Sequence, residues 1–274
     1  MLQPFGAEEI RSEDPACPNS ASSRIGDAMK RDGSVNSVLT SRLEKSVCQT
    51  INRIFQICDQ LSQVVVSDLE KLPGDQYRLP DIKNLYASVQ KALSAPNAPV
   101  YGVGFAANPK VFLEPGLLWW YAAPAGERLQ PLNVSMQEGN LTYYDYTVSH
   151  WWRGSQGDEK PHLFGPFVDH SGTNAYVVTF SRGVFIGDKQ VGLIVGDVLV
   201  GTLQALWQRE LSALPKPSSL VDEEGVVVAT NSARLLGGVL RKVSGSVALP
   251  VKGATWRVVV QSASTPRTRG KKAA

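Results

Sequence analysis

Two aspartates stand among residues that otherwise read as apolar core strands. Asp169 follows Gly165-Pro166-Phe167-Val168 and opens the turn Asp169-His170-Ser171-Gly172, and Asp197 sits inside Leu193-Ile194-Val195-Gly196-Asp197-Val198-Leu199-Val200. A carboxylate in such company is expensive unless it is paired or hydrogen-bonded. Two readings stay open for each. Asp169 can cap its own turn, and Asp197 can accept a cap or bend hydrogen bond just before the helix that follows; alternatively the two hold a cation. Upstream, the segment LTYYDYTVSHWW from Leu141 to Trp152 gathers Tyr143, Tyr144, Tyr146, Trp151 and Trp152 with neither strand nor helix periodicity. An irregular run this rich in rings lines a core corner or a pocket, and a ring face attracts a cation. His150, His162 and His170 lie in the same region. A metal site needs three or four converging ligands, and neighbours on a turn such as Asp169 and His170 rarely converge, so no metal is assigned. A base role for His150 or His170 beside Asp169 is the enzymatic alternative. There is no Gly-x-Ser-x-Gly elbow for a nucleophile. Gly102-Val103-Gly104 begins like a dinucleotide fingerprint, but Asn108-Pro109 follows where a helix would have to start. Glycines that relieve close packing in a strand are the better account, and no cofactor is expected.

The elements that must place these groups follow from period and punctuation. Phe164 to Val168, Ala175 to Phe185 and Val191 to Val200 read as three consecutive antiparallel strands, the last two joined by Gly187-Asp188. From Thr202, Leu203, Leu206, Trp207 and Leu211 fall at helical spacing. Before them, Ser37 to Leu72 is one long helix whose Leu43, Val47, Ile51, Ile54, Cys58, Leu61, Val65, Leu69 and Leu72 make a single seam, ended by Pro73-Gly74. That seam, widened by Phe55 and Val64, is read as packing on a sheet, on its twin in a homodimer through residues 37–72, or both. A shorter helix runs from Pro80 to Leu93, and Val100 to Ala106 pairs as a hairpin with Leu117 to Ala123, which carries Tyr121. After Pro215 come four short strands: Ser219 to Val221, Gly225 to Ala229, Val247 to Val251 and Trp256 to Val260. The fold class is therefore α+β. The domain reading is a polar, unstructured arm (1–36), a long helix with the main lobe (37–212), a small second lobe (213–262) and a basic, unstructured tail (263–274).

Composition narrows the class. The chain of 274 residues is 43 % apolar and 19 % charged, as globular proteins are, and its length allows one large core or two modest ones. Its net charge of +3 comes largely from Arg267, Arg269, Lys271 and Lys272, without the basic stripe of a nucleic-acid binder. No run approaches the roughly 20 apolar residues of a membrane span, and the N-terminus lacks the apolar core of a signal peptide. Cys17, Cys48 and Cys58 have no metal-type spacing. An odd number of cysteines without a leader points to reduced thiols and a cytoplasmic location.

The order of these elements resembles the extracytoplasmic sensor modules of the double Cache class. The resemblance rests on the long leading helix, the aromatic run ending in Trp151-Trp152, Gly165-Pro166-Phe167-Val168-Asp169, Gly192 to Asp197, a helix, and Leu220 to Thr230 (LVDEEGVVVAT). It implies a PAS-like antiparallel sheet behind a long N-terminal helix, with a second, abbreviated PAS-like lobe. In the amino-acid-binding branch, it implies ligand contacts from Tyr144, Trp151, Trp152 (in place of a Tyr), Phe167 (in place of a Tyr), Asp169 and Asp197; Tyr121 is counted with them. Where that branch has an Arg to grip the ligand carboxylate, this chain has Ser149, and a hydroxyl cannot make the bidentate bond of a guanidinium. What remains is the half of the site that holds an ammonium. The expectation is a non-enzymatic sensor for a small amine, cytoplasmic, homodimeric and signalling through a separate regulator or effector protein. The alternative within binding modules is a small carboxylate or a purine-type ligand, with the aspartates structural.

Overall fold

In the computed structural model, which describes residues 34–74, 76–122, 129–240, 247–248 and 255–260, the apolar seam becomes one helix, α1 (Ser34–Leu69). It begins at Ser34 rather than Ser37 and ends at Leu69 rather than Leu72, with Gly74 at φ +98° just beyond the proline. Leu43, Val47, Ile51, Ile54, Cys58, Leu61, Val65 and Leu69 are all buried against the chain's own core. Phe55, read as a flank, is buried with them. A homodimer through residues 37–72 would therefore have to use what α1 leaves outward, not this seam. The helix is tied down at its end by Asp68. One carboxylate oxygen accepts from the Lys83 and Asn84 N–H groups (2.9 Å each) and the other from Asn84 Nδ2 (2.6 Å). Desolvation works against the charge, but these bonds and Lys71 outweigh it and hold the carboxyl below its ordinary value. Asp68→Ala strands the donors and is expected to cost about 1–3 kcal/mol. The melting temperature should then fall by roughly 2–12 °C. Because the folded carboxyl sits low, its contribution is present above the unfolded value and fades as pH falls through the folded one. The variant's deficit should therefore shrink in acid, and calorimetric melting over pH checks both parts.

The expected second helix resolves into a 3₁₀ turn at Leu79–Asp81 and α2 (Leu85–Leu93). Next come β1 (Gly102–Ala107), β2 (Leu117–Tyr121), β3 (Gln130–Pro131), a short α3 (His150–Arg153), β4 (His162–Val168), β5 (Tyr176–Ile186) and β6 (Lys189–Leu199). These strands form one antiparallel sheet in the order β3-β2-β1-β6-β5-β4. Alternation along a strand sends neighbours to opposite faces. Ile194 and Val198 of β6 join Val178 and Phe180 of β5 in the core under α1, while Leu193 and Val195 join the aromatics on the other face. That second face is where β6 also turns Asp197.

Chain continues into α4 (Val200–Ser212), then β7 (Ser218–Val221), β8 (Val227–Thr230), β9 (Val247–Ala248) and β10 (Arg257–Val260), a second antiparallel sheet in the order β8-β7-β10-β9. The two sheets share a core through α4. Trp207 is fully buried, donates from Nε1 to Thr50 Oγ1 on α1 (3.2 Å), and meets Trp256 edge to face with ring centres 6.0 Å apart. Gln204, one turn earlier, grips Thr230 at the end of β8: its Oε1 accepts from the backbone N–H and its Nε2 donates to the carbonyl, both at 2.8 Å. The expected arm, apart from the first residues of α1, and the expected tail lie outside the described residues, as does most of the strand read from Val247 to Val251.

Candidate ligand-binding site

Strand register brings the site together. Asp197 of β6 lies opposite Gly102 of β1 on one side and Thr179 of β5 on the other. Directly opposed residues share a face, so these three form a row across the middle of the sheet. Asp197 thus lies inside β6; it is not a helix cap, and Leu199 takes the N-cap position of α4. Asp197 is 7 % exposed, and its carboxylate accepts from Thr179 Oγ1 at 2.6 Å. Burial pushes the Asp197 carboxyl up to about 7; the Thr179 bond draws it down, and the Asp169 charge adds to the rise. At Gly102 the missing side chain is required, because a Cβ there would come within 2.2 Å of the Trp119 ring. The Trp119 indole lies over that position and donates from Nε1 to the Val195 carbonyl (3.0 Å). Close packing, rather than a phosphate, thus accounts for this glycine.

Asp169 comes from the turn after β4. One oxygen accepts from Thr173 N–H (2.8 Å), while its backbone carbonyl accepts from Asn174 N–H (2.8 Å), with Asn174 at φ +56°. The turn-capping role read from the residues is real, and Asp169 also lines a small cavity with Asp197. The aromatic run is held by Tyr146, fully buried, whose hydroxyl donates to the Ala107 carbonyl (2.6 Å) and accepts from Gly116 N–H (3.2 Å). Trp151 stacks on that ring, with centres 6.1 Å apart and planes at 9°. Ser149 caps α3: its hydroxyl accepts from Trp152 N–H (3.2 Å) and donates to the Tyr146 carbonyl (2.6 Å).

The result is an inner cavity of about 30 Å³ beside a groove of about 1280 Å³, with Tyr144, Trp151, Phe167 and Asp169 lining both. Of the residues expected at the site, Tyr144, Trp151, Phe167, Asp169 and Asp197 line the inner cavity together. Three do not. Trp152 is packed edge-on to Tyr146 and Trp151 in the core, Tyr121 packs with Tyr101 and Trp119, and Ser149 borders only the outer groove. Sequence reading missed Thr179, Trp119, Val195 and Leu132, which also line it. Regular pairing across Gly187-Asp188 would set Val178 opposite Asp197, and the bulge between Val184 and Phe185, which carries no clear sequence signal, shifts that place to Thr179. Burial, followed by the Asp169 charge, pushes the Tyr144 phenol upward, so it stays a neutral donor. His150, His162 and His170 border the groove rather than the cavity, and His162 lies 3.4 Å from Asp158. Among the described residues, no group of three His, Cys, Asp or Glu side chains converges to hold a metal ion.

No protein-family model matches this chain, and no curated protein matches it in sequence. Solved structures do match its fold. A methyl-accepting chemotaxis protein X superimposes with a TM-score of 0.59 at 13 % identity, over 83 % of this chain and 96 % of its own. The ligand-binding domain of the Pseudomonas fluorescens chemoreceptor CtaA, solved with L-isoleucine, gives 0.54 at 14 %, over 85 % and 93 %. That of the Campylobacter jejuni chemoreceptor Tlp3, solved with L-valine, gives 0.53 at 14 %, over 89 % and 96 %. The fold, a long N-terminal helix with a large and a smaller antiparallel sheet, is of the Cache/PAS-like kind. In this fold the cavity lies on the face of the larger sheet away from α1, and the second lobe is the four-stranded sheet. The three neighbours come from a chemotaxis protein and two chemoreceptors.

Proposed function

We propose that this chain is a non-enzymatic sensor domain whose ligand is a small amine. The observation that carries the reading is the charge of the inner cavity. Among the described residues its lining holds two carboxylates, Asp169 and Asp197, and no Lys, Arg or His. An ammonium there gains charge-assisted bonds of about 1.5–3 kcal/mol each and faces the Trp151 and Tyr144 rings. A carboxylate there meets two like charges.

The amino acids bound by CtaA and Tlp3 favour a second reading, an α-amino acid. Its carboxylate would need a donor where Ser149 stands, and that hydroxyl is already engaged with Tyr146 and Trp152. The test is a melting screen that pairs each primary amine with its α-carboxylated analogue. At about 100 times its dissociation constant a ligand adds roughly 2.7 kcal/mol, which should raise the melting temperature by roughly 5–11 °C. The amine should win each pair; equal or better stabilisation by the amino acid overturns the reading. Mass spectrometry should recover the bound amine unchanged, and turnover would make the protein an enzyme.

We place the domain in the cytosol, where it passes its state to a separate protein. The buried thiol of Cys58, which is in no disulfide, supports that setting. Recovery of the native protein outside the cytoplasmic membrane would overturn this part.

A further inference from the structure

The two compartments of the site differ in size by more than an order of magnitude, and the inner one, at about 30 Å³, has room for little more than a head group. Any ligand larger than that must leave through the wall the two share, formed by Tyr144, Trp151, Phe167 and Asp169. The groove beyond is bordered on its far side by the second lobe. Asp222, Glu223 and Glu224 of the β7–β8 turn line it, together with Thr255 and Trp256. Asp222 is buried and its Oδ1 accepts from Val226 N–H (2.7 Å), which fixes the turn, while Glu223 accepts from Thr255 Oγ1 (3.0 Å) and Glu224 is exposed. Asp145 adds a further carboxylate to the groove, against Lys160 and the three histidines.

We infer that the ligand is an elongated dication that spans the two lobes, with one ammonium between Asp169 and Asp197, its methylene chain along the rings of Tyr144, Trp151 and Phe167, and the second ammonium at Glu223 and Glu224. The inference rests on the amine reading above and adds the class of amine and the second contact. A single-headed amine satisfies only the inner compartment. A diamine of sufficient reach also meets the acidic turn, so that the ligand itself bridges the first sheet to the second.

Isothermal titration calorimetry with the full chain tests this, using propane-, butane-, pentane- and hexane-diamine, each against the amino alcohol of the same chain length. At low salt the diamine that reaches should bind roughly two- to fivefold more tightly than its amino alcohol, the range of a solvent-exposed charge pair. The advantage should shrink at high salt. Glu223→Gln with Glu224→Gln, both exposed positions, should remove it and leave the amino alcohol's affinity unchanged. If amino alcohols bind and no diamine exceeds its partner, or the advantage survives the double substitution, the spanning ligand is wrong and the amine reading stands. If neither series binds, the amine reading falls and this one with it.

Discussion

Asp197→Asn is expected to cut amine affinity by about 30-fold to several-thousand-fold, because removing one partner of a buried charge pair costs about 2–5 kcal/mol. The asparagine carbonyl can still accept the Thr179 hydroxyl bond, so the fold should survive. In the absence of ligand the same change should stabilise the protein. Burial raises the Asp197 carboxyl from 3.8 to about 7, so an ionised side chain there costs on the order of 4 kcal/mol at alkaline pH. Near pH 8 the ligand-free variant should therefore melt higher, by up to about 10 °C, and near pH 4 it should match the wild type. Loss of binding with a gain of stability is a pairing that mere damage to the fold does not produce. Amine binding within threefold of wild type would show that the ammonium sits elsewhere.

Binding and stability should also run in opposite directions with pH. Because the folded Asp197 carboxyl lies above its unfolded value, its contribution to stability is fully present below about 3.8 and is lost as pH rises through about 7. A cationic ligand selects the ionised form. A primary amine stays protonated well above neutrality, so the carboxylate sets the profile. Affinity should fall about tenfold for each pH unit below 7, or about 100-fold between pH 7 and 5, and level off above. Calorimetry near pH 5.5 in buffers of different protonation heat should detect about one proton released per ligand bound. A flat profile would mean that the cavity binds a neutral group.

How much of this was legible in the sequence depended on the range of the interactions involved. The α1 seam was readable because its period is local and its burial uniform, and Gly187-Asp188 fixed the hairpin that pairs β5 with β6. Asp197 was harder. The residues around it allowed a cap or a buried pair, and only the register with Gly102 and Thr179, set by strands far apart in the chain, places it in the middle of a sheet. The aromatic run shows the same limit. Tyr146, Trp151 and Trp152 are consecutive in composition but divide between core and cavity according to a hydroxyl bond to Ala107, nearly 40 residues away in sequence. Nor could the sequence show that the seam of α1 was already filled, since an apolar stripe looks the same whether it meets its own sheet or a second copy.

The grip of Gln204 on Thr230 bears on how this chain behaves in a crowded solution. β8 is the outermost strand of its sheet, and an outer strand with unmet N–H and C=O groups invites another molecule to add a strand and begin an aggregate. Here the vulnerable side is occupied at both ends. The Val227 N–H donates to the Gly238 carbonyl (2.9 Å), and at the other end the Gln204 amide supplies the donor and acceptor that a foreign backbone would have offered. A side chain of α4 thus imitates one residue of a neighbouring strand and closes the β8 edge of the sheet to edge-to-edge growth.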